Sequence, residues 1–312
     1  MVLKDYTIQG WDTINPARIL VSKEYSSLYA WYNKTTGELK PIDQEISYYK
    51  EFNAFNQYTY KDALIFETKT GEKLMDPNIS FNAYYANQLI NKAYTFKSDN
   101  SYNSAISSLE SALTYTPKDP TIYGLISDCY FEQSNFSQAL SYVNQGLDYK
   151  EDDGLLYKRI EIYKKLYEYS NAAEDYLTLA KSYISQKYDK SSIANYYFQA
   201  GYQYSEGKAY QESIRAYTTG LLYDQSSSSA WAYGNRGVAN NRLGQYEIAL
   251  KDHLMAVTKC KDSCSDESLG LYLHNAANNL LNLKRKAEAC VYYKRAANKD
   301  SKYYSDYTRI CE

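Results

Sequence analysis

The sequence predicts an all-α protein, a solenoid of about six stacked helix pairs, with a small N-terminal α+β or extended segment ahead of it. Three observations predict it. Paired small residues recur at a near-constant interval along most of the chain. An aromatic residue repeatedly stands three positions before the first member of a pair. Chain-breaking residues are scarce, with 5 prolines and 13 glycines among 312 residues, which favours long helices over many short strands.

The small residues come first. Ala105, Ala139, Ala173, Ser213, Ala249 and Ala289 recur in similar settings, and Ala112, Gly146, Ala180, Gly220, Ala256 and Ala296 each follow one of them by seven positions. Successive spacings are 34, 34, 40, 36 and 40 in both series. Small residues seven apart share a helix face, and a neighbouring helix can approach closely there. Tyr102, Phe136, Tyr210 and Tyr246 precede the first series by three, as aromatics closing a turn between two helices. A further small residue lies twelve positions upstream in most copies: Ala93, Ser127, Gly201, Gly237 and Ala277.

The copy beginning at Ala230, AWAYGNRGVANNRLGQYEIALKDHLMAVTKC, carries all of these marks. Through Gly237, Gly244, Tyr246, Ala249 and Ala256 it resembles the tetratricopeptide repeat, with its period of about 34 residues. Pro117 closes the first copy where that family places a proline. Six copies span 86–119, 120–153, 154–187, 194–227, 230–263 and 270–303, about seven-tenths of the chain. The third is the least regular, since Ala172 and Ala173 offer two registers; in the sixth, Lys286 replaces the turn aromatic. The wider spacings place extra polar loops at 187–193 and 260–269.

Residues 1–80 stand outside the period. WYNKTTGELKPID and IFETKTGEKLMDP each set a Gly-containing polar turn between two apolar runs, a hairpin signal. Between them, IDQEISYYKEFNAFNQY (42–58) reads as an amphipathic helix. A hairpin–helix–hairpin segment over 1–80 is expected, followed by the solenoid with a short C-terminal capping helix over 81–312. A rival reading makes 44–72 a degenerate repeat with Tyr60 in its turn and Ala63 packed.

Composition narrows the function. Lys plus Arg (35) nearly balances Asp plus Glu (37) at an estimated pI of 5.9, unlike the basic footprint of a nucleic-acid binder. No nucleic-acid partner is expected. No stretch approaches the ~20 apolar residues of a membrane span. The N-terminus lacks a signal-peptide run, so a cytoplasmic location is the default expectation. The 39 tyrosines against 8 phenylalanines point to many half-buried positions, where a ring packs and its hydroxyl stays near water.

Catalytic patterns are missing. His253 takes an aromatic packing site of a second helix, and His274 lies one turn from Asn278; neither has a nucleophile beside it. Lys69–Lys73 (KTGEK) lacks the rest of a phosphate-binding loop. Cys260-x3-Cys264 lacks the second pair a zinc site needs. Three Asn-x-Ser/Thr triplets, at Asn33, Asn78 and Asn135, matter only for a chain that enters a secretory pathway. No catalytic, cofactor or metal residue is assigned.

The resemblance implies a right-handed stack whose first helices line a concave groove that takes an extended peptide or a partner helix. Its residues would be Asn87, Ile90, Tyr94 and Lys97, then Thr121, Gly124, Asp128 and Phe131, then Leu155, Lys158, Ile162 and Lys165. The C-terminal copies supply Asn195, Phe198, Tyr202 and Ser205, then Trp231, Gly234, Val238 and Asn241, then Leu271, His274, Asn278 and Leu281. The Lys/Asn/Arg carboxylate clamp of chaperone-tail receptors is not found. A non-catalytic scaffold that grips a protein partner is expected. The alternative is a structural subunit, including self-assembly, held end to end through Tyr303, Tyr304, Tyr307 and Ile310. Cys311 would lie on a final helix near Cys290, within disulfide reach.

Overall fold

The computed structural model describes residues 6–11, 18–23, 29–33, 39–41, 56–60, 63–67, 73–226, 229–260 and 264–312, those before 86 by their backbone. The chain divides into two compact units, Met1–Cys129 and Tyr130–Glu312.

The first unit opens on two antiparallel meanders. β1 (Tyr6–Trp11), β2 (Arg18–Lys23), β3 (Tyr29–Asn33) and β4 (Leu39–Pro41) pair in chain order, and so do β5 (Asn56–Tyr60), β6 (Ala63–Glu67) and β7 (Lys73–Ser80). Both strand prolines obey the rule that a residue without an N–H belongs at an edge or a bulge. Pro41 is on edge strand β4; Pro77 lies where the β6–β7 register skips from Leu64↔Asp76 to Ala63↔Ser80. The helix expected over 42–58 fails at its end, because 56–58 belong to extended β5; the rest of it lies outside the described residues. The degenerate repeat at 44–72 fails for the same reason, since Tyr60 and Ala63 sit in paired strands.

From Phe81 the described chain is helical. α1 (Phe81–Ser98), α2 (Tyr102–Leu113) and α3 (Pro120–Glu132) follow β7. Pro120 opens α3 at the position where a missing N–H costs nothing. α4 (Phe136–Tyr149), α5 (Asp153–Lys165), α6 (Tyr169–Ser185), α7 (Lys190–Glu206) and α8 (Tyr210–Tyr223) continue the series. α9 (Ala230–Arg242), α10 (Tyr246–Cys260), α11 (Asp266–Asn282) and α12 (Lys286–Lys299) complete it, with a 3-10 turn at Ser301–Tyr303 leading into α13 (Tyr304–Cys311). The architecture from residue 81 on is the all-α stack of helix pairs that the period predicts. Among the described residues, no helix is long and apolar enough to cross a membrane.

One turn recurs between the two helices of every pair. Asn100, Ser134, Tyr167, Lys208, Gly244 and Lys284 all have φ between 56° and 73°, and each stands two residues before the second helix. The next N–H closes a six-residue loop onto the first helix, as in Ser101 N–H to Phe96 O (2.8 Å) and Arg285 N–H to Leu280 O (2.8 Å). This is the left-handed C-terminal cap of a helix. Only one of the six is the glycine that such a cap favours.

The same turn settles the third copy. Its left-handed residue is Tyr167 and its second helix starts at Tyr169, so the repeated small position is Ala172 rather than Ala173. Both alanines are fully buried. The expected loops at 187–193 and 260–269 are shortened by longer helices, since residues 190–193 and 266–269 are helical; 261–263 lie outside the described residues. Asp189 and Ser265 cap their helices by accepting from Ser192 N–H and Ser268 N–H, so α7 and α11 begin a turn early.

Small residues mark close contact. A Cβ on Gly220 would stand 2.5 Å from Phe198 Cε1, and one on Gly237 would stand 2.8 Å from His253 Nε2. Two buried ion pairs join first to second helices sixteen residues apart. Arg159 holds Asp175 at 2.8 and 2.6 Å and also reaches Asn144; Arg236 holds Asp252 at 3.0 and 2.6 Å and also reaches Thr218. The tyrosine excess fills half-buried sites: Tyr183 stacks on Tyr188 at 4.3 Å and meets Tyr196 edge-on at 4.6 Å, and the Tyr157 and Tyr196 hydroxyls share a hydrogen bond.

Candidate partner-binding face

The first helices of the second unit present a run of side chains outward from the packed layer. With the third copy shifted to Ala172, its face residues become Gly154, Tyr157, Glu161 and Lys164. Leu155 and Ile162 are buried core instead, because a shift of one residue turns a helix by about 100°. Lys164 and Glu161 pair with each other at 2.8 Å. In the first unit, Lys97 pairs with Asp128 at 3.7 Å.

Farther along, the expected residues separate into open and occupied ones. Asn195 is exposed, Trp231 and Tyr202 are each 39% exposed, and Leu271 is 44% exposed. The Tyr202 and Trp231 rings lie 6.0 Å apart, and Trp231 meets buried Tyr217 edge-on at 5.9 Å. Phe198 is a floor residue, packed on Gly220 and Tyr217. Val238 is half-buried. Ser191, Ser192, Asn195, Phe198, Gln199, Asp224 and Trp231 line a recess of about 400 Å³.

The remaining amides are bonded within the protein. Asn241 donates to Asn279 Oδ1 at 2.6 Å. Asn278 donates to His274 Nδ1 at 3.2 Å and accepts from the Tyr293 hydroxyl at 2.5 Å. That donation leaves the His274 proton on Nε2, which bonds Asp306 at 2.9 Å, while the imidazole stacks on Tyr303 at 4.4 Å. Arg309, then His274, holds the Asp306 carboxyl below the usual carboxylate range. His274, Asn278 and Asn241 therefore brace the last repeats.

The end residues are mostly turned inward. Tyr303 is buried with Leu273 and Ala296, and Tyr307 and Ile310 pack on the cluster around Tyr293. Tyr304 alone of the four is exposed, at 58%, with Val291 of α12 equally open. Cys290 and Cys311 are joined, with Cα atoms 5.6 Å apart, so a disulfide ties α13 to α12. Cys260 and Cys264 form a second disulfide that the i, i+4 spacing alone did not announce. His253 is enclosed, and burial pushes its pKa down to about 4. Among the described residues, no three His, Cys, Asp or Glu side chains gather as metal ligands.

Residues 98–161 match the family model of the tetratricopeptide repeat. The solved structure of Naa15/Naa10 bound to HypK-THB is similar, with a TM-score of 0.58 and 16% identity over 74% of this chain. The match covers 35% of that structure's chain, so this chain spans about a third of its length. YrrB, a tetratricopeptide-repeat protein with an unusual peptide-binding site, matches at 20% identity over 60% of this chain and 89% of its own, with a TM-score of 0.42. The TPR2AB domain of yeast Sti1 in complex with pHSP90 matches at 17% identity over 74% and 100%, with a TM-score of 0.33. At 16% identity the likeness to the Naa15/Naa10 structure is one of fold alone. No curated protein matches the sequence.

Proposed function

We propose that the chain, whose residues 98–161 match the tetratricopeptide-repeat family model, is a non-catalytic scaffold gripping a segment of a protein partner in the groove lined by the first helices of its second unit. The observation that carries this reading is the open pair Tyr202 and Trp231, set beside exposed Asn195 on a floor of Phe198 and Tyr217. Exposed aromatics over a rigid base are the anchors that dominate protein recognition.

The groove reading is tested by purifying partners on the intact chain and on Trp231→Ala/Tyr202→Ala. A specific partner should be lost from the variant while its circular dichroism is unchanged. Partners retained in full would remove the groove. The end-to-end alternative rests on exposed Tyr304 and Val291. It requires a mass that rises with concentration and falls in Tyr304→Glu/Val291→Glu.

A further inference from the structure

We propose that Asn135 is the acceptor of an N-linked oligosaccharide, in a chain that matures in an oxidising, secretory compartment. This modification site stands apart from the groove and from whatever the groove binds.

Cysteine pairing is the first argument. Four of the five cysteines are joined, Cys260 to Cys264 and Cys290 to Cys311, with Cα atoms 5.0 and 5.6 Å apart. The fifth, Cys129, is buried. Forming each bond takes two protons and two electrons from a pair of thiols, and an oxidising compartment accepts them. A reducing cytoplasm returns such pairs to thiols. Two disulfides therefore count against the cytoplasmic default. They also supply the setting in which the Asn-x-Ser/Thr triplets carry meaning.

Placement is the second. The triplets at Asn33 and Asn78 start in strands β3 and β7. Asn135 stands instead at a corner, directly after left-handed Ser134 and directly before α4. Residues 132–135 are all exposed, and so is Ser137, which completes the triplet. Phe136 between them is half-buried and meets Phe131 edge-on at 5.3 Å. Its ring anchors the corner while the amide and the hydroxyl on either side stay open to water. A glycan acceptor belongs on such a surface turn.

The third argument is a division of labour within one side chain. Asn135 Oδ1 accepts from Gln138 N–H at 3.3 Å and so caps α4. Among the described residues its Nδ2 has no intramolecular partner, and Nδ2 is the atom that a glycan takes. In the transfer, Nδ2 attacks C1 of the first sugar of an oligosaccharide carried on a lipid pyrophosphate. The N–C1 bond forms as the C1–O bond breaks, and the pyrophosphate leaves with the bonding pair. A base of the transferase takes the displaced amide proton. Oδ1 keeps its lone pairs throughout, so the helix cap survives the modification.

The experiment maps peptide masses, without reduction, on the protein purified from its native source. The expected result is a hexosamine-containing glycan on the peptide that holds Asn135, with both disulfides intact. Peptide N-glycosidase in heavy-oxygen water should then convert residue 135 to a labelled Asp. Expressed in the same cells, Ser137→Ala should lose the glycan and Ser137→Thr should keep it. Asn135→Asp should lose it too while retaining the cap, since Asp caps as well as Asn; an unchanged melt separates loss of the acceptor from loss of the fold. A bare Asn135 in the mature chain overturns the proposal, whether or not the cysteines are paired. A glycan found only at Asn33 or Asn78, or one that persists in Ser137→Ala, overturns it as well.

Discussion

Asp252 is almost fully enclosed and takes two bonds from Arg236 and one from Asn240 at 3.1 Å. Removing one member of such a pair strands the other, at about 3 kcal/mol or more. The fourth repeat supplies an internal control, because Ala200 and Ala216 hold the places that Arg236 and Asp252 hold in the fifth. Asp252→Ala should therefore destabilise by about 3 kcal/mol, and Arg236→Ala/Asp252→Ala by at least ~1 kcal/mol less. Denaturant melts give the comparison; a double variant as weak as the sum of the singles would contradict it. His253 makes a second case. Asn279 donates to its Nδ1 at 2.8 Å, and burial lowers the folded pKa from 6.5 to about 4. The unfolded chain thus binds a proton first as pH falls, so stability is full above pH 6.5 and declines between 6.5 and about 4. The loss approaches about 3 kcal/mol by the lower limit. His253→Phe should flatten that stretch of the stability–pH curve, and a slope equal to that of the parent would refute the assignment. Tyr217 is fully buried, and its hydroxyl has no partner among the described residues. Tyr217→Phe should leave the melt unchanged or raise it by about 1 kcal/mol.

At the scale of elements, the six left-handed turns are the unit that repeats most faithfully. Asn100, Ser134, Tyr167, Lys208 and Lys284 hold a conformation that disfavours a side chain by roughly 1–2 kcal/mol. Lys208→Gly and Lys284→Gly should each stabilise by about 0.5 kcal/mol, since glycine also gains entropy in the unfolded chain. Gly244→Ala should cost about 1 kcal/mol by the same argument. Opposite signs for either set would exclude strain as the governing effect. These turns explain what the sequence could reveal. Small residues are visible because only they fit where helices touch, so five of the six copies could be placed in their observed register. A left-handed lysine or tyrosine leaves no mark in the sequence, and so the third copy slipped by one residue. The helix caps Asp189 and Ser265 were readable in principle, but they lay inside polar runs that resemble loops. At the candidate site, Trp231, Tyr202 and Asn195 were legible as outward positions. That Asn241, Asn278 and His274 are bonded within the protein depends on partners up to 38 residues away, which periodicity does not encode.

For the molecule as a whole, a stack in which each helix pair touches only its neighbours should open from its ends. In the second unit that end is α13. Tyr303, Tyr307 and Ile310 fasten it to the α11–α12 layer, His274 bonds Asp306, and the Cys290–Cys311 disulfide closes a segment of 21 residues. A loop of that length is worth about 3 kcal/mol to the folded state. An eight-residue helix has little stability of its own. Without the disulfide, α13 should detach more often, and His274 with Asn278 should lose its brace, while the core around Tyr217 stays closed. Hydrogen exchange read segment by segment, on the parent and on Cys290→Ser/Cys311→Ser, tests this. Exchange should rise at least tenfold in α13 and less strongly in α11 and α12, with α5 to α8 unchanged. The disulfide at Cys260 and Cys264 remains intact in that variant, so a change there cannot mimic the effect. If protection instead fell equally from α5 to α13, the second unit would unfold as one cooperative block, and end-opening would not describe it. If α13 kept its protection, Tyr303, Tyr307 and Ile310 would suffice to hold it, and the disulfide would add nothing to the stack's closure.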